Sequence, residues 1–231
     1  MMFKAVLFDL DGTLLHLDTE SFLGKYIKAL SLKVKDHIPM EKFPKYLLES
    51  THVMVTDNDG AKTNEEVFME HFFKITQGDE KKLRPVFDSF YVEQFPALGD
   101  EYTGHPKAKE VIEHCKQKGL KIVLATNPVF PKAAILERLR WAGLSSEDFD
   151  VISCYEDMHF CKPNKNYFQE LLDIIDVAPE HALMVGNDCQ EDMVAGELGI
   201  KTFLVKDFII DRGGQCHPDY QGDLGDITKI I

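Results

Sequence analysis

Positive charge, cysteine and long apolar runs are all scarce in this chain of 231 residues. Its 26 basic residues face 39 acidic ones, a formal charge of −13. That balance argues against a nucleic-acid partner, because phosphate backbones are bound by clustered Lys and Arg. The five cysteines (Cys115, Cys154, Cys161, Cys189, Cys216) are odd in number and contain no Cys-x-x-Cys. They are expected to be reduced thiols of a cytoplasmic protein rather than a disulfide framework. Cys154, His159 and Cys161 stand close together, but the chain has no second ligand pair at a spacing that suits zinc. No apolar run is long enough for a membrane span, and Lys4 and Asp9 interrupt the N-terminal stretch where a signal peptide would need continuity. What remains is an ordinary globular composition, 44% hydrophobic and 28% charged. It allows one large domain, or one domain carrying an insertion.

Acid, by contrast, is present where packing does not call for it. Ala5-Val6-Leu7-Phe8 reads as a buried strand, and it ends in Asp9-Leu10-Asp11-Gly12-Thr13. A charge leaving water must find a partner. Two carboxylates at a strand end therefore read as cation ligands, as a nucleophile with an acid/base helper, or as both. Asp-Gly is also a strong turn dipeptide, so a plain hairpin is the competing reading.

From about Thr19 to Phe95 the apolar residues recur at helical spacing. Phe22, Leu23, Tyr26, Ile27 and Leu30 form one stripe; Phe43, Tyr46, Leu47 and Leu48 form another. Thr63 and Glu66 spell a capping box before Val67, Phe68, Phe72 and Phe73. Leu83, Val86, Phe87, Phe90 and Tyr91 make a last stripe, with Pro85 expected in its first turn. The polar break Thr56-Asp57-Asn58-Asp59-Gly60 reads as a helix–helix loop or as a loop reaching over a neighbouring site.

After Gly104 helix and strand alternate. Helices are expected over 108–118, 132–142, 165–175 and 190–198, the first, second and fourth closed by Gly119, Gly143 and Gly199. Strands are expected over 120–125, 149–153, 182–185 and 201–205, and the tail beyond Val205 as an irregular surface segment. Apolar strands separated by helices predict a parallel sheet covered on both faces. Right-handed crossovers place the C-terminal ends of all its strands on one edge, where ligands bind. Asp9 and Asp11, then Thr126 and Asn127, then Lys162, then Asp188 all come after strands and should meet there. Carboxylates, a hydroxyl and a lysine gathered at one edge suit Mg²⁺ and a phosphoryl group.

These residues resemble the haloacid dehalogenase superfamily, with a match over nearly all of the chain outside the helical stretch. Asp9-Leu10-Asp11-Gly12-Thr13-Leu14 resembles its first motif, Thr126 its second, Lys162-Pro163 with Tyr167-Phe168 its third, and Gly186-Asn187-Asp188 with Asp192 its fourth. The resemblance implies an α/β, Rossmann-like three-layer sandwich with a mainly parallel sheet (1–16 and 96–231) and an inserted all-helical C1-type cap domain (17–95). It implies Asp9 as nucleophile, Asp11 as acid and base, and Thr126 and Lys162 as holders of the phosphoryl oxygens, with Asn127 beside them. It also implies Mg²⁺ on Asp9, the Asp11 carbonyl and Asp188, with Asp192 as a further metal residue acting directly or from behind the ligands. Two positions depart from the pattern. His16 stands where many capped relatives carry Asp, and Asn187 stands where an Asp is usual, leaving Asp188 or Asn187 in the metal register. The implied function is an Mg²⁺-dependent phosphohydrolase of a small phosphorylated metabolite, with a sugar phosphomutase as the alternative. Asp11 makes dehalogenation unlikely, since the family's dehalogenases lack that second Asp.

Overall fold

The structure, a computed structural model, describes residues 2–231. The strands are β1 (Ala5–Phe8), β2 (Leu15–His16), β3 (Thr103–Gly104), β4 (Lys121–Leu124), β5 (Val151–Ile152), β6 (Ala182–Gly186), β7 (Lys201–Val205) and β8 (Tyr220–Gly222). Six of them form one sheet in the order β5-β4-β1-β6-β7-β8, with every neighbouring pair parallel. The helices are α1 (Thr19–Lys33), α2 (Phe43–Thr56), α3 (Asn64–Thr76), α4 (Glu80–Glu93), α5 (Ala108–Gln117), α6 (Lys132–Trp141) and α7 (Lys165–Ile175).

All four residues of β1 are fully buried, because helices cover both faces of the sheet. Val6 and Phe8 face a core that includes Val111, Ile112 and Cys115 of α5, Ile135 and Leu139 of α6, and Leu224 and Ile227 of the 3-10 turn at Leu224–Lys229. Ala5 and Leu7 face the opposite core, with Tyr167, Phe168, Leu171 and Leu172 of α7. The alternation of the strand (period two) thus splits one apolar run between two layers. The result is a three-layer α/β, Rossmann-like sandwich.

The helical stretch leaves the sheet through β2 and returns through β3, which pair antiparallel, Leu15 with Gly104 and His16 with Thr103. Between them α1 to α4 pack through an aromatic cluster in which Phe72 contacts Phe43, Phe68, Phe73 and Phe87. The capping box forms as its sequence requires: Thr63 Oγ1 accepts from Glu66 N (3.3 Å) and Glu66 Oε2 from Thr63 N (2.9 Å). α4 starts at its cap Asp79, upstream of the first apolar residue of its stripe, so Pro85 lies inside the helix rather than in its first turn.

Two further expectations are corrected. Residues 190–198 form a turn and a 3-10 stretch (Met193–Leu198) instead of an α-helix. The carboxylates of Asp188 and Asp192 take the backbone N–H groups of Gln190, Glu191 and Asp188, and Gly196 lowers helix propensity further along the segment. The tail is not merely irregular: Tyr220–Gly222 adds β8 to the sheet edge. The cysteines are not all free either. Cys189 and Cys216 form a disulfide across a separation of 27 residues, while Cys115, Cys154 and Cys161 stay reduced and buried. Spacing gave no hint of it, since the two are brought together by a parallel bridge between Asp188 and Ile210. Among the described residues no helix is long and apolar enough to cross a membrane.

Candidate active site

Parallel pairing aligns the ends of β1, β4 and β6, with Phe8 opposite Leu124 and Val185. Asp9, Thr126 and Asn187 to Asp188 consequently emerge at one edge. Lys162 comes from the segment after β5, and all of Asp9, Thr126, Lys162, Asp188 and Asp192 are buried.

The centre of the site is an ion-paired triad. Lys162 Nζ donates to Asp9 Oδ1 (2.9 Å) and to Asp192 Oδ1 (2.6 Å). Burial alone would lower the Lys162 ammonium, but Asp192 and Asp9 outweigh it and hold its pKa well above the ordinary value. Burial pushes Asp192 up to about 7, against the pull of Lys162. Asp192 Oδ2 accepts from Asp188 N (2.9 Å), so both of its oxygens are committed. This carboxylate fits only because residue 186 is glycine: a Cβ there would lie 2.0 Å from Asp192 Oδ2.

Thr13 Oγ1 lies 3.4 Å from Asp9 Oδ2 and 3.1 Å from Asn187 Oδ1. Asn187 also donates from Nδ2 to the carbonyl of Phe208 (2.7 Å). Its amide is thereby used to tie the first motif to the loop after β7. Gly12, at φ +82°, makes room for it, since a Cβ would stand 2.3 Å from Asn187 Nδ2. Asp188 instead accepts from Gln190 N and Glu191 N (both 2.9 Å) and from Arg212 Nη1 at both carboxylate oxygens (2.9 and 2.7 Å).

Thr126 is held by its carbonyl, which accepts from Ser153 Oγ (2.7 Å) and from the Tyr167 hydroxyl (2.9 Å). Asn127 positions the lysine backbone: its Oδ1 accepts from Lys162 N (3.2 Å), and its Nδ2 donates to Glu191 Oε2 (3.0 Å). Burial pushes the Glu191 carboxyl up from its ordinary value.

Asp11 is placed differently. Its Oδ2 accepts from Nη1 of Arg138 on α6, and its Oδ1 is buried with no partner among the described residues. Burial raises the Asp11 pKa and Asp9 adds to the rise, against the opposing pull of Arg138 and Lys162. His16 lies apart from these carboxylates, its ring edge-on to His105 (4.9 Å) and beside Phe208 (5.4 Å), with Nε2 3.6 Å from Asp207. His16, His105 and Asp207 are close enough to suggest a metal cluster. However, His105 Nδ1 accepts from Lys107 N (3.0 Å), which leaves the proton on Nε2, where it meets Asp207 (3.2 Å) rather than a cation.

The loop Asp57–Gly60 joins α2 to α3 and also rests on the lysine segment. Asn164 Nδ2 donates to Asn58 Oδ1 (2.6 Å), and Gly60 packs on the Phe160 ring. A separate cavity of about 380 Å³ lies among α1 to α4 and the 129–133 loop, lined chiefly by apolar side chains such as Leu23, Phe68 and Phe130.

Sequence reasoning missed Arg138, Glu191 and the pairing of Arg212. Arg138 did leave a signal: it falls in register with Ala134, Ile135 and Leu139 on the buried stripe of α6. Arg212 and Glu191 left none: Arg212 depends on the fold of the tail, and Glu191 meets Asn127 across a separation of 64 residues.

Comparisons with known proteins identify the family and the fold. A family profile described as hydrolase, haloacid dehalogenase-like hydrolase, matches residues 3–198. A pyrophosphatase, PpaX of Bacillus cereus (strain Q1), is 27% identical over 100% of this chain and 97% of its own length. Among solved structures, a haloacid dehalogenase-type phosphatase from Thermococcus onnurineus shares the fold with a TM-score of 0.62, at 24% identity over 98% of this chain and 97% of that one. The L-2-haloacid dehalogenase of Xanthobacter autotrophicus shares it at 0.58, with 16% identity over 99% and 98%. With four motifs at one sheet edge and a profile spanning most of its length, the chain belongs to the haloacid dehalogenase-like hydrolases.

Proposed function

We propose that this hydrolase is a phosphohydrolase acting on a small phosphorylated compound through an aspartyl-phosphate, the acyl phosphate of Asp9. The observation that carries the reading is the pairing of two distinct carboxyl environments two residues apart. Asp9 is an ion-paired carboxylate beside Lys162, whereas Asp11 is a partly buried carboxyl with raised pKa whose Oδ1 has no hydrogen-bond partner among the described residues. A carboxylate paired with an ammonium, next to a carboxyl whose burial favours its protonated form, is what a nucleophile and an acid/base partner require.

In this reading an Asp9 oxygen attacks phosphorus, the ester P–O bond breaks, and the leaving oxygen takes the proton of Asp11. Water then attacks the same phosphorus and gives its proton to the Asp11 carboxylate. The Asp9–phosphate bond breaks and phosphate leaves. Lys162 and the Thr126 hydroxyl hold the phosphoryl oxygens through both steps, while Asn127 fixes the Lys162 backbone and Asp192 fixes its ammonium.

The site also fits a divalent cation. Asp9, Asp11, Asp188, Asp192 and Glu191 outnumber Lys162, Arg138 and Arg212, and a guanidinium already takes both oxygens of Asp188. Mg²⁺ suits all-oxygen donors, and Asp9, the Asp11 carbonyl and Asp188 would hold it. When bound it supplies positive charge that offsets repulsion between the carboxylate nucleophile and the phosphate. Asp188 is the better ligand than Asn187, whose amide is committed to Thr13 and Phe208. Residues 17–95 form the cap of this reading and 1–16 with 96–231 the core.

The test is a panel of phosphorylated metabolites, with inorganic pyrophosphate included because of the PpaX relative, assayed for phosphate release with and without Mg²⁺. Release is expected to need Mg²⁺, and Asp9→Asn is expected to abolish it while leaving the circular dichroism spectrum unchanged. Turnover by Asp9→Asn at the wild-type rate, or isomer formation from a sugar phosphate without phosphate release, overturns the proposal.

A further inference from the structure

Arg138 stands outside every motif of the site, yet it makes the one side-chain hydrogen bond of Asp11 among the described residues. The other acidic side chains at the sheet edge have support from several directions. Asp9 has Lys162 and Thr13; Asp188 has two backbone N–H groups and Arg212; Asp192 has Lys162 and a backbone N–H. Asp11 is held at Oδ2 by Arg138 alone, which leaves Oδ1 bare.

Arg138 itself is only 1% exposed. Its guanidinium lies 4.4 Å from the centre of the Phe130 ring and 5.9 Å from that of Phe22, and its Nε and Nη2 have no hydrogen-bond partner among the described residues. A buried guanidinium with two idle nitrogens is a poor choice for stability alone, since apolar side chains often replace buried ion pairs without loss. The two rings fix the plane of the guanidinium, and α6 fixes its height. With the planar fork held by packing, its Nη1 bond to Asp11 Oδ2 restricts where the other oxygen sits.

Resting on the phosphohydrolase reading above, we infer that Arg138 is a positioning residue for proton transfer. It grips Asp11 Oδ2 so that Oδ1 is the atom that gives a proton to the leaving oxygen and later takes one from water. In the first step the Asp9–phosphorus bond forms, the ester P–O bond breaks, and the proton moves from Asp11 to the departing oxygen. Arg138 keeps its own protons throughout.

Because the contribution is to protonation of the leaving group, its size depends on how much that group needs a proton. The experiment measures kcat/KM, which reports the steps up to formation of the Asp9 acyl phosphate, for a series of aryl and alkyl phosphates of rising leaving-group pKa. Asp11→Asn is expected to steepen the fall of log kcat/KM along the series. Arg138→Met is expected to reproduce that steepening, with about 100-fold lost for alkyl phosphates and under tenfold for nitrophenyl phosphate, in the range typical of general acid catalysis. Arg138→Lys keeps the charge without the fork and is expected to give an intermediate slope. It carries the test if Arg138→Met does not fold. In the Asp11→Asn background, Arg138→Met is expected to steepen the slope no further.

Equal losses across the whole series in both Arg138 variants, with the wild-type slope retained, overturn the inference while leaving the phosphohydrolase reading intact. An Asp11→Asn enzyme with the wild-type slope overturns the role of Asp11 and this inference with it.

Discussion

At the scale of single residues, the site is organised by competition for carboxylate oxygens. Lys162 takes one oxygen from each of two aspartates, and Arg212 takes both oxygens of a third. The Arg212 side chain is half exposed, so its pair with Asp188 is screened by water and contributes roughly 0.2–1 kcal/mol. If Asp188 is a ligand of Mg²⁺, the guanidinium and the ion compete for it. Arg212→Gln is then expected to tighten Mg²⁺ binding by a factor of about 1.4 to 5, the factor equivalent to that energy. Isothermal titration of the two proteins checks this. A weaker ion in the variant would mean that Arg212 supports the site rather than occupying it.

At the scale of elements, α3 satisfies its N-terminus completely, and its partners cross from the helical stretch to the sheet edge. The N–H of Asn64 is taken by the Met158 carbonyl, that of Glu65 by the Tyr155 carbonyl (both 2.8 Å), and that of Glu66 by Thr63 Oγ1. Thr63→Ala removes one of three acceptors and is expected to cost about 1 kcal/mol in urea unfolding. A loss well beyond 2 kcal/mol would show that the junction with residues 155–158 had come apart too. This cap was legible in the sequence because it is local: Thr63 and Glu66 are three residues apart and need nothing else. Gly119, Gly143 and Gly199 were legible as helix or turn closers for the same reason, and all three take positive φ. The sheet-edge residues were legible because strands alternating with helices leave little choice of topology. Arg138, Arg212 and the partner of Cys189 were not read, because each acts across 24 residues or more of separation. Only Arg138 betrayed itself, as a charge on an apolar stripe.

At the scale of the whole molecule, the disulfide fastens the tail to the fourth motif. Cys189 comes directly after Asp188, and the closed loop carries β7 and Arg212. Closing a loop of 27 residues restricts the unfolded chain by about 3–4 kcal/mol in the chain-entropy account. Oxidised protein is therefore expected to resist urea better than reduced protein by up to that amount. Cys189→Ser/Cys216→Ser should match the reduced form and ignore dithiothreitol. Identical unfolding curves for oxidised and reduced wild type would count against the bond.

The central place of β1 has a consequence for how the chain is made. Its four apolar residues leave the ribosome well before their partners in the sheet, which begin only at Lys121 on one side and Ala182 on the other. Such contacts between distant stretches are slow to form. Until both partner strands have been synthesised, the strand that leads to Asp9 has an unpaired flank. The sheet edge is thus begun early in translation, with Asp9, and assembled late, with an adhesive segment to be shielded in the meantime.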